Sequence, residues 1–273
     1  FTQVGEFDFS KPSVIIANHQ SHLDLICLMA LNPKLVFFTN EWVWKNPIYG
    51  YVIRKADYVP VNDGVEAHLD KIRTLVAQGY SLVIFPEGTR TADGSIGRFH
   101  KGAFYVAAEL GLDITPVFIH GAYDVLPKTD FMLREGTVHV EVGTRIPCPQ
   151  DYRAMTKECH RLFVNHYSVL RRTLETPEYL SVYVRYKYLY KGADVESRCR
   201  KALASVADVA FLRETPQGGH FEIHDCGQGE YALIFALMHP EIQVDAYDRD
   251  EDNVLLASNC SCLPDNIHFH LEP

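Results

Sequence analysis

Two short polar clusters, each directly after an apolar run, constrain this chain more than any other feature. The run at residues 14–17 leads into residues 18–24 (NHQSHLD), and the run at residues 82–84 leads into residues 85–90 (FPEGTR). Short apolar runs bounded by polar residues are typical of buried strands. In open α/β sheets, ligands gather at the carboxyl ends of the strands. We therefore expect both clusters to lie where strands end and to carry the chemistry of the protein.

The residue types in the clusters indicate proton transfer and anion binding. His19 precedes Asp24 by five positions, and a histidine whose ring is oriented by an aspartate can act as a general base near neutral pH. Arg90 follows a turn that contains Gly88. A guanidinium group in such a place can hold a phosphate or a carboxylate through paired hydrogen bonds.

The two clusters resemble the signatures of the glycerolipid acyltransferase family of the lysophosphatidate type, which carries His-x4-Asp and Phe-Pro-Glu-Gly-Thr-Arg. Residues 98–102 (RFHKG) and 114–119 (ITPVFI) resemble two weaker blocks of that family. The resemblance covers residues 10–150, and four blocks in the right order are far more specific than any one alone.

The resemblance implies an O-acyltransferase that moves a fatty acyl group from acyl-CoA or acyl carrier protein to the hydroxyl of a lysophospholipid or lyso-aminolipid. His19 would be the general base and Asp24 would orient its ring. The acceptor alcohol attacks directly, so acyl transfer needs no cofactor. Asn18 is expected to hold the loop, and Ser21 to cap the following helix. The residues expected to bind substrate are Ser21, Glu87, Gly88, Thr89, Arg90 and Lys101.

One departure from the family pattern concerns the acceptor. The block between the two signatures usually ends with an arginine that contacts the acceptor phosphate, but here residues 57–62 read DYVPVN. Arg54 lies just upstream and is a possible substitute. This departure favours an acceptor without a terminal phosphate, such as a lyso-aminolipid.

A second strand, turn and helix pattern lies near the carboxyl end. Residues 221–224 lead into the turn 225–229 (DCGQG), and a later strand ends at Asp248. This pattern resembles the first half of a class I S-adenosylmethionine-dependent methyltransferase. Asp225, Gly227 and Gly229 would form the cofactor turn and Asp248 would bind the ribose hydroxyls. Tyr231 departs from the family, which often has a glycine there. Because the later strands are missing, we expect no methyl transfer and at most weak binding of S-adenosylmethionine.

Alternating strands and helices predict an α/β fold, namely an acyltransferase-type α/β sandwich followed by a truncated Rossmann-like unit. The expected domains are an acyltransferase-like domain at residues 1–176, a helical linker at 177–210, and a partial methyltransferase-like unit at 211–273. The charge supports a boundary, because residues 153–201 hold eleven Lys and Arg against five Asp and Glu, whereas residues 202–273 hold two against thirteen.

Composition excludes some partners. The formal net charge of −9 disfavours nucleic acid, and seven scattered cysteines indicate a reducing compartment and no metal site. No apolar run approaches 18 residues, so we expect peripheral binding to a membrane surface on its cytoplasmic face. The basic stretch could contact anionic headgroups. The chain starts at Phe1 and stops within a strand pattern, which indicates a piece of a bacterial multidomain lipid-processing protein.

Two other functions stay open at the level of sequence. Methyl transfer could be the principal activity, with the first domain auxiliary to it. Alternatively, the chain could be a lipid-binding module without turnover, although the intact His19, Asp24, Glu87 and Arg90 argue against this. Consumption of an acyl thioester with and without lyso-lipids separates these alternatives.

Overall fold

The computed structural model describes residues 1–5, 8, 10–39, 59–60, 68–128, 132–214, 216, 218–261 and 263–272. The chain divides into two compact units, residues 1–168 and residues 169–273. Both units combine strands with helices, which confirms the predicted mixed α/β fold.

The described strands of the first unit form one sheet in the order β1-β7-β6-β2-β5-β3-β4. Strand β2 is parallel to its neighbours β5 and β6, and β7 is antiparallel to β6. The carboxyl ends of β2, β5 and β6 therefore meet at one edge of the sheet. The strands are β1 (Thr2–Val4), β2 (Val14–Ala17), β3 (Leu35–Thr39), β4 (Val59–Pro60), β5 (Ser81–Ile84), β6 (Ile114–His120) and β7 (His139–Val142).

Helices cover both faces of this sheet. On one face, Ile15 of β2 shares a buried apolar cluster with Leu28 of α1. On the other face, Phe118 of β6 packs on Phe163 of α5 with ring centroids 4.6 Å apart. The described helices of this unit are α1 (Leu23–Leu31), α2 (Leu69–Ala77), α3 (Gly102–Leu110), α4 (Ala122–Val125) and α5 (Tyr152–Leu174), whose last turns lie in the second unit.

The strands before the two polar clusters begin and end within one residue of the sequence-based expectation. Their side chains are almost entirely apolar and buried, which makes short runs of this kind easy to recognise. The aromatic-rich segment 41–53, Arg54 and most of the departing block 57–62 lie outside the described residues, where only Val59–Pro60 is seen as a strand.

The second unit contains a parallel sheet in the order β10-β9-β8. Thr176 begins its first helix by accepting a hydrogen bond from the backbone of Tyr179, as expected of a capping residue. The elements are α6 (Pro177–Lys187), α7 (Ala193–Ala204), two 3-10 turns (Val206–Asp208 and Ala210–Arg213), β8 (His220–Ile223), α8 (Glu230–Met238), β9 (Gln243–Asp248), α9 (Glu251–Ser258) and β10 (Ile267–Leu271).

Residues 177–210 are helical as predicted, but they are not a linker. Val184 of α6 and Cys199 of α7 are fully buried in the same apolar cluster as Leu233 of α8 and Val244 of β9. An amphipathic helix is stabilised mainly by burying its apolar face, and these two helices bury theirs against the sheet and helix of the second unit. The boundary between the compact units lies at residue 168 rather than at residue 176.

Candidate active site

His19 and Asp24 form the centre of the candidate site, just beyond the end of β2. The Nδ1 atom of His19 lies 2.8 Å from Oδ2 of Asp24. The same carboxylate oxygen accepts the backbone N–H groups of Gln20, at 2.7 Å, and Ser21, at 2.9 Å. Asp24 is fully buried, whereas the His19 side chain is 17% exposed. The aspartate is therefore held by its own loop in the position that orients the histidine.

The ring of His19 is fixed on a second side by Phe85, the first residue of the other cluster. The two rings stack with centroids 4.0 Å apart. With Nδ1 turned to the Asp24 carboxylate, the neutral tautomer that donates from Nδ1 keeps a lone pair on Nε2. A substrate hydroxyl at Nε2 could give up its proton there, which is the chemistry that the sequence predicts.

Glu87 joins the two clusters through the backbone. One carboxylate oxygen accepts the N–H of His19 at 2.8 Å and the other accepts the N–H of Gly97 at 2.7 Å. Burial raises the pKa of the Glu87 carboxyl, against the lowering effect of these two hydrogen bonds. We expected Glu87 to bind substrate. In the structure both of its oxygens accept backbone N–H groups, so Glu87 positions the loop that carries the base, and its contact with substrate stays a prediction.

Ser21 is also engaged within the protein, and its predicted contact with substrate stays a prediction. Its side chain is buried, and its hydroxyl donates to the carbonyl of Leu126 at 2.8 Å while receiving the N–H of Leu23 at 3.4 Å. The predicted capping role is not seen, because α1 has His22 as its N-cap and no side chain caps it. Asn18 holds the loop as predicted, because its amide exchanges two hydrogen bonds of 2.8 Å with the backbone of Ile119.

The second cluster contacts the first at the peptide group between Arg90 and Thr91. Gly88 has a left-handed φ of +69°, and the N–H that follows Arg90, that of Thr91, donates to the carbonyl of His19 at 2.8 Å. Burial lowers the pKa of His22, and the charge of Arg90 adds to this effect. Arg90 therefore lies close to the His-Asp loop.

Thr89 and Lys101 are exposed, Lys101 immediately before α3. Lys128 was not predicted for the site. Its ammonium group lies 3.1 Å from the hydroxyl of Thr89 and 3.2 Å from the carbonyl of Arg90. It follows α4 in a loop without a motif, so nothing in the local sequence indicates this contact.

In the second unit, the turn predicted to bind a cofactor follows β8 as expected. Its backbone and nearby residues donate hydrogen bonds to Asp248 of the protein. Asp225 and Gly227 have φ values of +50° and +58°. The N–H of Gly227 donates to one oxygen of Asp248 at 2.7 Å, and the other oxygen accepts hydrogen bonds from Asp250 and Asn253. Burial acts to raise the pKa of Asp248, but the hydrogen bonds outweigh it and lower the pKa. Asp248 thus closes a turn, and its predicted role in binding ribose stays a prediction.

Gly229 begins α8 with a φ of +86°. A Cβ atom there would lie 2.7 Å from a ring carbon of Phe269 and 3.0 Å from the Cβ of Ala257. Its conformation and the close packing both require glycine, independently of any ligand.

The described part of the chain contains no cluster of His, Cys, Asp or Glu side chains suited to a metal ion. Among the same residues, no helix has the length and apolar character needed to cross a membrane.

Comparison with known proteins agrees with the likeness of the first unit. Residues 3–120 match the family model described as Acyltransferase. The chain is 34% identical over 135 residues to a chloroplastic 1-acyl-sn-glycerol-3-phosphate acyltransferase of Arabidopsis thaliana, covering 47% of this chain and 38% of the relative. It is 28% identical over 149 residues to 1-acyl-sn-glycerol-3-phosphate acyltransferase alpha of Homo sapiens, covering 52% of each.

The crystal structure of the 1-acyl-sn-glycerophosphate acyltransferase of Thermotoga maritima has a similar fold, with a TM-score of 0.55 at 22% identity, covering 62% of this chain and 71% of that one. The chain spans between 38% and 52% of the two relatives. These matches name acyltransferases, and they give no support to the methyltransferase likeness of the second unit.

Proposed function

We propose that this chain transfers a fatty acyl group from a thioester carrier to the hydroxyl of a lysophosphatidate-type lipid. The observation that carries this proposal is the contact of 2.8 Å between His19 Nδ1 and Asp24 Oδ2 at the carboxyl edge of β2. The backbone contacts of Glu87 and Thr91 bind the second cluster to this pair. The match of residues 3–120 to the acyltransferase model supports the same activity.

In the proposed mechanism, Nε2 of His19 accepts the proton of the acceptor hydroxyl as its oxygen attacks the thioester carbonyl. Asp24 keeps the ring oriented and stabilises the imidazolium ion that forms. The tetrahedral intermediate then collapses, the carbon–sulfur bond breaks, and the leaving thiolate takes the proton from His19. The acyl group passes directly to the acceptor, so the enzyme forms no covalent intermediate.

The acyl carrier is coenzyme A or acyl carrier protein in this proposal, with Arg90 and Lys101 supplying positive potential near its phosphates. The acceptor is a lysophosphatidate or a lyso-aminolipid. The names of the relatives favour the phosphate-bearing acceptor. Residues 57–62, whose departure from the family pattern favours the aminolipid, lie mostly outside the described residues.

We propose further that the protein binds peripherally to the cytoplasmic face of a membrane, because its acceptor is a membrane lipid. The excess of Lys and Arg in residues 153–201 supports attraction to anionic headgroups. Sedimentation with vesicles tests this. Binding to anionic vesicles that weakens with salt is expected, and equal binding to neutral vesicles would contradict the electrostatic part.

The decisive experiment for the activity measures free thiol released from acyl-CoA and from acyl carrier protein, with and without lyso-lipids. Release that requires a lyso-lipid and disappears in His19→Ala is expected. Lipid binding without turnover by the folded wild-type protein would refute the enzyme and favour the binding module.

For the second unit, we infer a likeness to the first half of a Rossmann-like sheet. Its parallel strands lie in the order third, second, first, which is the order of one half of such a fold. We expect no methyl transfer and at most weak binding of S-adenosylmethionine, and the donors of the protein that engage Asp248 support this expectation. Titration calorimetry tests this, and micromolar affinity with methyl transfer would instead support the alternative activity.

A further inference from the structure

One short segment, residues 121–128, ties the two clusters of the candidate site together. It follows β6 and contains α4. It contacts the first cluster where Leu126 accepts the hydroxyl of Ser21, and the second where Lys128 donates to Thr89 and Arg90. Tyr123 adds a hydrogen bond from its hydroxyl to the carbonyl of Ala92 at 3.0 Å. Lys128 is therefore placed by a segment anchored at several points.

Lys128 and His19 contact the same peptide group. The carbonyl of Arg90 accepts from the ammonium of Lys128 at 3.2 Å, and the N–H of Thr91 in that peptide donates to the carbonyl of His19 at 2.8 Å. The described chain has no cis peptide bonds, so the two groups of this peptide point in opposite directions. One peptide group thus separates the ammonium from the backbone of the proposed base.

The charge of Lys128 is not neutralised by a carboxylate within the part of the chain that the structure describes. Its two contacts there are a hydroxyl and a carbonyl, both uncharged. An ammonium group has three N–H donors, so a third donor can meet a ligand. The guanidinium of Arg90 belongs to the same turn, and its charge already affects the pKa of His22.

We infer that Lys128 and Arg90 together bind a phosphate group of the substrate. This inference rests on the proposed acyltransferase function. Arg90 offers the forked geometry that fits two phosphate oxygens, and Lys128, whose ammonium contacts the backbone carbonyl of Arg90, offers a compact point charge on the same turn. Lys128 would then supply the second cation that the block at residues 57–62 lacks in the sequence. The phosphate belongs either to the lysophosphatidate acceptor or to the coenzyme A carrier.

The test compares Lys128→Met, which removes the charge, with Lys128→Arg, which keeps it. Lys34→Met is the matched control, since Lys34 is also exposed and donates to a carbonyl, but at the amino end of β3. KM and kcat are measured for lysophosphatidate and for monoacylglycerol. They are also measured for acyl-CoA and for an acyl-pantetheine that lacks the nucleotide phosphates.

Lys128→Met should raise KM roughly tenfold for the phosphate-bearing substrate, as expected for loss of a hydrogen bond to a charged group. KM for the phosphate-free counterpart should stay within about twofold, and Lys128→Arg should restore most of the affinity. A change confined to lysophosphatidate assigns the phosphate to the acceptor. A change confined to acyl-CoA assigns it to the carrier.

Equal losses with phosphate-bearing and phosphate-free substrates would overturn the inference, because Lys128 would then only support the loop. If the wild-type protein turns over no acceptor, the proposed function fails separately. Titration with inorganic phosphate then decides the inference. Weaker binding to Lys128→Met than to Lys34→Met supports the phosphate site, and equal binding of both variants overturns it.

Discussion

Asp24 in the first unit and Asp248 in the second have similar surroundings but different partners. Both are buried carboxylates near the carboxyl end of a parallel strand, and both accept backbone N–H groups. Oδ2 of Asp24 makes all of the hydrogen bonds, one of them with the ring of His19. Oδ1 has no hydrogen-bond partner among the described residues. The contacts of Asp248 are divided between both oxygens and come from backbone and amide N–H groups.

The comparison shows that two buried carboxylates at strand ends can have different hydrogen-bond partners. What distinguishes Asp24 is an imidazole neighbour, the side-chain type suited to proton transfer. That neighbour is His19, at a spacing that returns its ring to the carboxylate. Among the described residues, the hydrogen bonds to the side chain of Asp248 come from backbone and amide N–H groups, and they stabilise the turn before α8. Variants of the two aspartates and their partners should therefore affect different properties.

The largest effect is expected for His19→Ala. Loss of a general base typically lowers the rate by about 10²–10⁴-fold, and kcat for acyl transfer should fall within that range. The fold should survive, since the side chain is partly exposed in a loop. His139→Ala, on β7, is the matched control and should keep near-normal kcat. Near-normal turnover by the His19→Ala variant would contradict the proposed mechanism.

Asp24→Asn should lower kcat by roughly 10²-fold or more, because an amide cannot stabilise the imidazolium ion as a carboxylate does. Asp248→Asn, measured beside it, should leave the rate of acyl transfer within about twofold of the wild type. Comparable losses of kcat in the two variants would show that the carboxylates are not functionally distinct.

Glu87→Gln is expected to lower kcat about tenfold. One oxygen would be replaced by an NH2 group that faces the backbone N–H of His19 or Gly97, and small displacements of a catalytic group are costly. KM should change little, because Glu87 acts through the loop. A large rise in KM with unchanged kcat would instead indicate that Glu87 contacts substrate, as its place in the motif first indicated.

How far the sequence predicts these differences depends on the kind of signal. Buried strands such as Val14–Ala17 and the pair His19 and Asp24 are visible because apolar runs and short spacings are local. The engagement of Asp248 by Asn253 and the contact of Lys128 with Thr89, 39 residues away, depend on loop geometry that no local pattern encodes. The burial of α6 and α7 is a tertiary effect, which the helical pattern of residues 177–210 does not reveal.

The glycines of the second unit provide a test of packing rather than chemistry. Gly229→Ala should destabilise this unit by about 2 kcal/mol or more, since a left-handed φ costs about 1–2 kcal/mol and overpacking about 1–3 kcal/mol. Gly227→Ala has only the cost of the left-handed φ, because no atom lies within 4 Å of its Cβ position. It should destabilise the unit by about 1 kcal/mol. Hydrogen exchange of peptides from the second unit measures both. Equal losses would mean that the contact with Phe269 is unimportant.

The smallest effect concerns acid stability, where Asp248 and Glu87 should behave in opposite ways. The pKa of Asp248 is below its ordinary value of 3.8, so this carboxylate stabilises the second unit above that pH and its contribution is lost as the pH falls through the lowered pKa. The pKa of Glu87 is above its ordinary value of 4.5. Protonation is therefore easier in the folded state, and lowering the pH through the raised pKa towards 4.5 should relieve an unfavourable burial of charge in the first unit.

Hydrogen exchange measured as a function of pH separates these two contributions, because peptides from one unit report only on the stability of that unit. Asp248→Asn should remove the part of the acid sensitivity of the second unit that arises below pH 3.8. Glu87→Gln should remove the opposite trend in peptides of the first unit around its raised pKa. If Asp248→Asn left the acid profile of the second unit unchanged, the hydrogen bonds of that carboxylate would not stabilise the turn, and the distinction between the two aspartates would rest on His19 alone.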